Sequence, residues 1–510
     1  MSGLRMAGLT ASLVAAAAVG LAAALAAAGA FGIVATALAG PADDPLLAGL
    51  DEAGVPTDAL GFRPAGTWLR YPDPESIRFK NRLFDDLLAD PGSIYPTVAL
   101  MARAAGRFLE PAYSDSQAIA LFEAAYWVGW DPHLSGFRDY NAGMTLSPAE
   151  DDPLVEAIAL LWEETGRPFD VVHFETPPDW PSRRDRVRAQ VAPLDPELCR
   201  ILAQAVLDLA EARRWHARAF RNVDHRHVVE LWSVRDWGDT QSGGEEFFPQ
   251  VIDVADRLDA AALVTSSRKT VAAAGRLTVA LRAWREAGGR SPRFAPARIV
   301  PDPDRVPPEE GKLSATGTRI YSDKRATRSE TLAEARLDLW TPAGRIVVGG
   351  DGDDVHEERD VLLMVELGGD DEYREPVGAT SSVTLPVAIA VDLDGDDGYD
   401  AADEMAITQG SGQFGTGVLV DVRGRDSYRA GRASQGYGCF GTGLLADLDG
   451  DDVYRLGTGG QGAGFWGVGL LFDREGDDLF EMDGIGQGFG GIGGVGTLVD
   501  RAGDDVYRAE

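Results

Sequence analysis

A repeat of 26 residues in the last third of the chain constrains the fold more than any other feature of the sequence. Four Gln-Gly pairs follow one another at that spacing, and four apolar runs, GVLVD, GLLAD, GLLFD and GTLVD, keep it with one inserted residue. An acidic turn with a central glycine marks each unit. The marker glycines are Gly352, Gly369, Gly395, Gly424, Gly450, Gly476 and Gly503, at intervals of 17, 26, 29, 26, 26 and 27 residues. A fixed period in this range is typical of repeat architectures.

The composition of the repeats predicts strands and excludes stacked helix pairs. Glycine supplies 37 of the 170 residues from 341 to 510, and it weakens a helix interior by about 0.5–1 kcal/mol relative to alanine. Short apolar runs between Gly/Asp turns predict strands, and their fixed period predicts a parallel β-solenoid with coils about 4.8 Å apart.

Equivalent residues of such a solenoid would form ladders along its axis. We expect inward leucines, a stack of aromatic rings, and glutamines whose side chains bond one another. These are Leu419, Leu445, Leu471 and Leu498; Tyr428, Tyr454, Phe480 and Tyr507; and Gln409, Gln435, Gln461 and Gln487.

The acidic turns admit two interpretations. The second residue after each marker glycine is aspartate, and in six of the seven units the residue before the turn is acidic. A G-x-D turn can be purely structural, because glycine supplies an unusual backbone angle and aspartate caps nearby amides. Alternatively, cations lie between the coils, because like charges about 4.8 Å apart repel by roughly 0.9 kcal/mol per pair even in bulk water. The residues leave both interpretations open.

Three turns resemble known calcium-binding repeats. GGDGDDVHE at 349–357 is similar to the nonapeptide of the RTX family, and DLDGDDGYD at 392–400 and DLDGDDVYR at 447–455 share its G-x-D-x-aromatic core. The resemblance covers about nine residues of each unit and does not include the 26-residue period. It implies calcium bound by aspartates between coils of a parallel β-roll.

Calcium takes oxygen ligands in flexible geometry and therefore suits a stack of carboxylates. We expect it at the turns around Asp351, Asp394 and Asp449, whereas Arg423 and Arg425 can neutralise the acids of another turn. The predicted ligands are Asp351, Asp353, Asp354, Asp392, Asp394, Asp396, Asp397, Asp447, Asp449, Asp451 and Asp452.

The charge of the chain excludes one class of partner. The formal net charge is -33, and residues 341–510 contain 34 acidic side chains against 11 arginines and no lysine. Nucleic acid is therefore not expected to bind, since its phosphates need a basic face. Cations, basic partners or simple solubility are compatible with this surface.

The N-terminus predicts export. The stretch from Met6 to Ala39 has no charged residue and exceeds the roughly 7–15 residues of an ordinary signal h-region. A bilayer span takes about 20 residues, and Ala37-Leu38-Ala39 also offers a cleavage site. Residues 1–40 are therefore expected to act as a signal peptide or a membrane anchor, with residues 41–510 outside the cytoplasm.

Between the N-terminus and the repeats, an irregular segment at 41–75 is followed by a predicted separate, mostly helical domain at 76–290. Six prolines in residues 291–311 predict a semi-rigid linker, and the solenoid would occupy 312–510. The predicted fold class is α+β multidomain, a helical domain followed by a parallel β-solenoid of 26-residue coils.

Two helices of this domain can be placed. Asp195-Pro196-Glu197 predicts an N-cap with proline at the first helical position, and the helix continues toward Phe220. A second helix is predicted from about Val251 to Arg285, ending at Gly288-Gly289.

The sequence offers no catalytic motif. Asp224-His225-Arg226-His227, with His216 upstream, is the densest cluster of ligand residue types in the helical part, and no HExxH accompanies it. The leading hypothesis is an exported or membrane-anchored surface protein whose acidic solenoid serves as an adhesion or scaffold module. Its partner would be a surface polysaccharide or a protein, and its last coil could associate end to end.

Two alternatives stay open. One is a polysaccharide-active β-helix enzyme, by analogy of fold alone, for which Asp403, Glu404 and Glu481 are the candidate carboxylates. The other is a periplasmic assembly factor that acts through the helical domain.

Overall fold

The computed structural model describes residues 105–109, 151–166, 180–232, 248–292 and 336–509, apart from positions 402, 404, 405 and 492. In these residues six helices precede a parallel β-solenoid of about six turns, which confirms the predicted fold class. The helices are α1 (Pro153–Gly166), α2 (Trp180–Val191), α3 (Pro196–Ala219), α4 (His225–Trp232), α5 (Phe248–Arg257) and α6 (Ala260–Glu286), with a 3-10 turn at Gly106–Leu109.

Eighteen strands are described in the solenoid. They are β1 (Leu337–Thr341), β2 (Gly344–Val348), β3 (Val355–His356), β4 (Val361–Glu366), β5 (Glu372–Tyr373), β6 (Val387–Asp392), β7 (Gly398–Asp400), β8 (Gly412–Gln413), β9 (Thr416–Val420), β10 (Ser427–Arg432), β11 (Gly438–Cys439), β12 (Thr442–Asp447), β13 (Val453–Thr458), β14 (Gly464–Phe465), β15 (Val468–Asp473), β16 (Leu479–Met482), β17 (Val495–Asp500) and β18 (Val506–Ala509).

The strands form three sheets that make the sides of the coil. Sheet A has the order β1-β2-β4-β6-β9-β12-β15-β17, sheet B the order β18-β16-β13-β10-β7-β5-β3, and sheet C the order β14-β11-β8. All pairings are parallel except that of β1 with β2. The acidic turn connects sheet A to sheet B, and the Gln-Gly turn connects sheet B to sheet C.

The interior confirms the leucine and aromatic ladders. Leu419, Leu445, Leu471 and Leu498 pair in register and are at most 1% exposed. The rings of sheet B stack face to face with centroids 4.5–4.9 Å apart, from His356 through Tyr373 and Tyr399 to Tyr507. Residues at the same position of successive coils therefore form one hydrophobic interior.

The glutamine ladder was predicted with the wrong partners. Nε2 of Gln435 donates to the carbonyl oxygens of Tyr428 and Arg455, at 3.1 and 3.2 Å, and Gln461 repeats this contact with Tyr454 and Glu481. Each amide therefore joins the backbones of two adjacent coils and does not bond the next glutamine. The side chain points inward because Gln435 has a left-handed backbone, with φ of 57°.

From β4 onward, sheet A is buried on both faces. Every residue of β4, β6, β12, β15 and β17 is buried. One face lines the interior, and the other belongs to a second hydrophobic core that it shares with the helices. A sheet covered on both sides requires continuous apolar runs, without the polar alternation of a half-exposed strand. The runs GLLAD and GLLFD have this continuous pattern.

Polar contacts also join the helices to the solenoid. Oγ of Ser267 on α6 lies 3.0 Å from Oγ1 of Thr416 and 2.9 Å from Oγ1 of Thr442, on two adjacent strands of sheet A. His216 on α3 bonds through Nε2 to the carbonyl oxygen of Phe414 at 2.7 Å, and Arg285 at the end of α6 donates to the carbonyl of Leu367. The helices therefore form a layer on the outside of sheet A.

One predicted helix is confirmed and the other is divided. Asp195 caps α3 by accepting from the amides of Glu197 and Leu198, and Phe220 is its C-cap. The predicted helix from Val251 to Arg285 is two helices, α5 and α6. Asp259 separates them because its carboxylate caps Ala262 while its own amide donates to the carbonyl of Ala219.

The predicted signal or anchor at 1–40, the segment at 41–75 and most of the linker at 291–311 lie outside the described residues. These boundaries stay predictions. Within the described part of the chain, no helix combines the length and the apolar character needed to cross a membrane.

Candidate metal sites along the acidic corner

The acidic turn places three aspartate positions of each coil in different environments. We call the acidic residue that ends a sheet A strand, or follows it directly as Asp421 does, the pre-turn position. The residue after the marker glycine is the outer position, and the next residue is the inner position. The pre-turn file contains Glu366, Asp392, Asp421, Asp447, Asp473 and Asp500; the inner file Asp354, Asp371, Asp397, Asp426, Asp452, Asp478 and Asp505; and the outer file Asp353, Asp370, Asp396, Arg425, Asp451, Asp477 and Asp504.

The marker glycine allows the coils to stack at this corner. A Cβ atom on Gly450 would lie 1.7 Å from the carbonyl oxygen of Gly424, and one on Gly476 would lie 1.6 Å from that of Gly450. Glycine is therefore needed because of this close approach between coils. The predicted unusual backbone angle is a second reason at four of the marker glycines, since Gly369 has φ of 128° and Gly395, Gly424 and Gly503 have φ of 158°.

The outer file is exposed and its carboxylates cap the turns. Oδ1 of Asp370 accepts from the amide of Asp396 at 3.0 Å, and Oδ1 of Asp451 accepts from that of Asp477 at 3.1 Å. The outer aspartates from Asp353 to Asp477 thus each accept a hydrogen bond from a backbone amide of the next coil. Solvent reaches these side chains, so their charges are screened.

The inner file is buried from Asp354 to Asp478, and Asp505 in the last coil is half-buried. The buried inner aspartates from Asp371 onward bond the neighbouring coil through one carboxylate oxygen. Oδ1 of Asp426 accepts from the amide of Asp397 at 2.6 Å, and Oδ1 of Asp452 accepts from that of Asp426 at 2.7 Å. The second oxygen has no hydrogen-bond partner in Asp371, Asp397, Asp426, Asp452 and Asp478. Each of these oxygens points into the corner between sheets A and B.

The pre-turn file faces the same space. The hydroxyl of Tyr428 donates to Oδ2 of Asp447, and that of Tyr454 donates to Oδ2 of Asp473, both at 2.6 Å. Oδ1 of Asp421, Asp473 and Asp500 has no hydrogen-bond partner. Oxygens of both files therefore converge, and we call the two files together the carboxylate column.

The column consists of overlapping groups of three carboxylates. Each group brings three oxygen atoms within 4.8 Å of one another, with no side chain moved. The all-aspartate groups are Asp371/Asp392/Asp397, Asp397/Asp421/Asp426, Asp426/Asp447/Asp452 and Asp452/Asp473/Asp478. These buried groups are able to hold a metal ion.

The column lacks a basic counterion along most of its length. No described Arg, Lys or His lies within salt-bridge distance of the column aspartates from Asp371 to Asp500. Burial and the neighbouring carboxylates raise the pKa of Asp426 to about 10 and that of Asp397 and Asp452 to about 9. Without a cation, these groups therefore retain protons at neutral pH.

The predicted ligands divide between the buried column and the exposed rim. Asp354, Asp392, Asp397, Asp447 and Asp452 belong to the buried groups. The exposed residues are Asp351, Asp353, Asp394, Asp396, Asp449 and Asp451. Asp351 bonds Arg285 and Ser291, and Asp451 lies 3.8 Å from Arg425. The ligand roles of all eleven stay predictions.

The column also contains buried aspartates of other turns that are not among the predicted ligands. Arg423 and Arg425 are exposed, so their guanidinium groups do not neutralise Asp421 and Asp426, which the structure places in the buried groups. A constant spacing in the sequence could have identified these residues. An acid at the pre-turn position is followed five residues later by an aspartate in all six units from Glu366 onward.

The candidates for other chemistry are not assembled into a site. Glu481 pairs with Arg455 at 2.7 Å and with Arg508 at 2.5 Å, and these partners lower its pKa. Asp403 is exposed, and Glu404 lies outside the described residues. Among the histidines of the helical layer, burial lowers the pKa of His216 to about 4, and His227 bonds Asp253 at 2.9 Å.

Comparison with known proteins found no match. No family model, curated protein or solved structure matches the chain. The parallel solenoid and its aspartate groups agree with the coarse part of the RTX resemblance.

Proposed function

We propose that the protein is an exported scaffold whose acidic β-solenoid is held together by calcium ions in the carboxylate column and presents its free face to a partner. The observation that carries this proposal is the row of buried carboxylate oxygens without hydrogen-bond partners. A buried polar atom without a partner lowers stability by about 1–3 kcal/mol, and by more when it is charged. A cation between the coils would remove this penalty at each turn.

Calcium fits the donor set better than other common divalent ions. The all-aspartate groups offer only carboxylate oxygens, and Ca²⁺ accepts six to eight oxygen ligands in flexible geometry. Mg²⁺ requires near-ideal octahedral geometry and loses water reluctantly. Extracellular modules bind calcium with dissociation constants of about 10⁻⁴–10⁻³ M. Weak sites of this kind would therefore be sufficient if residues 41–510 are exported, as predicted.

The free face would be the outer side of sheet B. The helical layer covers sheet A, whereas sheet B alternates buried rings with exposed charged residues, as in Tyr454 and Arg455. Arg455 and Glu481 form a cross-strand pair there, and Arg429 lies 3.9 Å from Asp400. This face and the acidic rim beside it suit a polar partner, either a surface polysaccharide or a protein with basic side chains.

Terbium luminescence would test the column directly. Tb³⁺ takes the same oxygen ligands as calcium, and the tyrosine hydroxyls touch the column, so excitation of tyrosine should sensitise bound Tb³⁺. We expect emission from the full chain that Ca²⁺ displaces. The variant Asp421→Asn/Asp447→Asn/Asp473→Asn should lose most of this emission, whereas Asp396→Asn/Asp451→Asn should keep it. Equal emission from both variants would overturn the proposal.

Protease protection would test the export. Protease added to intact cells or spheroplasts should digest the full-length chain, and a chain that begins at Gly40 should be protected in the cytoplasm. Full-length protein that is soluble and protected inside the cell would contradict the assignment of residues 1–40.

A further inference from the structure

The carboxylate column begins, at the first coil, with a group of different composition. Asp354, His356 and Glu366 each bring one ligand atom within 4.8 Å of the others, and they are 6%, 2% and 0% exposed. His356 occupies the stack position that tyrosine holds in the next coil, since it pairs in register with Tyr373 and stacks on it at 4.7 Å. This group therefore has a nitrogen donor, unlike the four all-aspartate groups.

Gly349 provides the space for the carboxylate of Glu366. Val348 pairs with Val365, so Gly349 and Glu366 occupy equivalent positions in adjacent coils. A Cβ atom on residue 349 would lie 1.5 Å from Oε2 of Glu366. The first unit thus has Gly349 at the position where the other units have an acid. The side chain of Glu366, in the second coil, occupies the space that a side chain at residue 349 would need.

His356 and Glu366 are close without being bonded to each other. Nε2 of His356 lies 3.2 Å from Oε1 of Glu366, yet the atoms are not aligned as a hydrogen bond, and both oxygens of Glu366 lack a hydrogen-bond partner. Zn²⁺ lies about 2.0–2.2 Å from nitrogen and oxygen ligands. Neighbouring ligands are then roughly 3–3.5 Å apart, so the separation of 3.2 Å fits two ligands of one ion.

The other ring nitrogen faces a carboxylate. Nδ1 of His356 lies 3.4 Å from Oε2 of Glu358 without forming a hydrogen bond, and Oε1 of the same carboxylate pairs with Arg336 at 2.5 Å. Metal-binding histidines usually direct their second nitrogen to a carboxylate, which fixes the tautomer and the orientation of the ring. Glu358 is placed to do this while leaving Nε2 for a metal.

The net charge of the group also favours a divalent cation. Among the described residues, Arg336 pairs with this group and lies 3.4 Å from Oδ1 of Asp354. With His356 neutral, the carboxylates of Asp354, Glu358 and Glu366 together with Arg336 have a formal charge of -2. One divalent cation would neutralise it.

We propose that Asp354, His356 and Glu366 bind one borderline divalent cation such as Zn²⁺, with Glu358 as the residue that orients the imidazole. Imidazole suits Zn²⁺ and its first-row neighbours, whereas calcium takes oxygen ligands. Because Asp354 and His356 belong to the first coil and Glu366 to the second, the ion would join the two coils. This site does not depend on calcium in the rest of the column.

Cobalt would test the site, since Co²⁺ replaces Zn²⁺ and its visible absorption bands shift and strengthen when protein ligands replace its bound water. The full chain would be titrated with Co²⁺ in excess Ca²⁺, and bound Zn²⁺ would be measured by elemental analysis after dialysis. We expect one equivalent of either ion. His356→Phe should abolish this binding and still fold, because Phe480 holds the equivalent place in the ring stack. Glu358→Gln should weaken the binding about 10–100-fold.

A matched control separates this site from the calcium proposal. Asp447→Asn/Asp452→Asn alters the column far from the first coil and should leave the Co²⁺ spectrum unchanged. No Co²⁺ binding by the full chain, or the same spectrum and stoichiometry in His356→Phe, would overturn the proposal, whatever the terbium experiment shows.

Discussion

The outer and inner aspartates are neighbours in the chain, but they differ in how their charge is balanced. Outer residues such as Asp451 lie in solvent and use their carboxylate to cap the next turn. Inner residues such as Asp452 are buried, cap with one oxygen and leave the other without a partner. One acidic turn thus combines exposed carboxylates that cap backbone amides with buried oxygens whose geometry could hold a cation.

The largest effect of this difference should be on the pH dependence of stability without metal. The pKa of Asp426 is raised to about 10, and those of Asp397 and Asp452 to about 9, above the value near 3.9 of the unfolded chain. The protonated column is therefore fully stabilising below about pH 4, and this stability is lost as the pH rises through the folded pKa values. Each retained proton contributes a slope of about 1.4 kcal/mol per pH unit.

Melting curves between pH 5 and 9 would measure this slope. In chelator the melting temperature should fall as the pH rises. In calcium it should fall less or rise, because deprotonation favours the metal complex. Parallel curves in chelator and calcium would contradict a column in which protons and cations compete.

The marker glycines give the next largest effect. Gly450→Ala would place a Cβ atom 1.7 Å from the carbonyl oxygen of Gly424. Since both atoms belong to the backbone, the coils must separate, and we expect a loss of about 3 kcal/mol or more of unfolding free energy. Gly352→Ala is the matched control, because no atom lies within 4 Å of a Cβ built there. Denaturant titration should show little change for the control, and equal losses would argue against contact between the coils at this corner.

Neutralising one coil of the column should remove part of the calcium response. Asp447→Asn/Asp452→Asn keeps an acceptor oxygen for the hydroxyl of Tyr428 and for the amide of Asp426, and it removes two carboxyl groups that can ionise to bind calcium. When the calcium concentration is 100 times the dissociation constant of a site, binding at that site adds about 2.7 kcal/mol to the free energy of unfolding. The difference in melting temperature between calcium and chelator should therefore decrease by the contribution of one site. Asp449→Asn/Asp451→Asn changes the exposed rim of the same turn and should keep the full difference, unless the rim supplies the ligands.

The smallest effect concerns the hydroxyl groups along the column. Tyr428→Phe preserves the ring stack and removes the donor to Oδ2 of Asp447, which lies 2.6 Å away. We expect a loss of about 1–2 kcal/mol in chelator, because one more carboxylate oxygen lacks a partner. The loss should be smaller in calcium, where the ion would satisfy that oxygen. An unchanged melting temperature in both conditions would show that the hydroxyl contributes no net stabilisation.

At the turn between sheets B and C, a neutral glutamine joins adjacent coils without any charge. Gln435 donates to carbonyls of two coils and needs no counterion. The sequence predicted its ladder and missed its partners, because spacing alone does not reveal which way an amide points. Gln435 has a left-handed backbone, and its amide reaches the carbonyl oxygens of Tyr428 and Arg455 at 3.1 and 3.2 Å.

The period by itself determined the solenoid. Leu419, Leu445 and Leu471 recur at one spacing, and contacts between equivalent residues of adjacent coils follow from that spacing alone. The cap of α3 could likewise be predicted, because Asp195 acts on amides two and three residues away. Such contacts depend on short or constant separations in the chain.

Only the tertiary structure decided which aspartates are buried and what covers sheet A. Asp451 and Asp452 have the same chemistry, and the turn between two sheets directs one outward and the other inward. The helical layer brings together residues far apart in the chain, such as Ser267 and Thr442. The group of Asp354, His356 and Glu366 likewise has separations in the chain that do not repeat. Their meeting depends on how whole elements pack, and no period in the sequence records it.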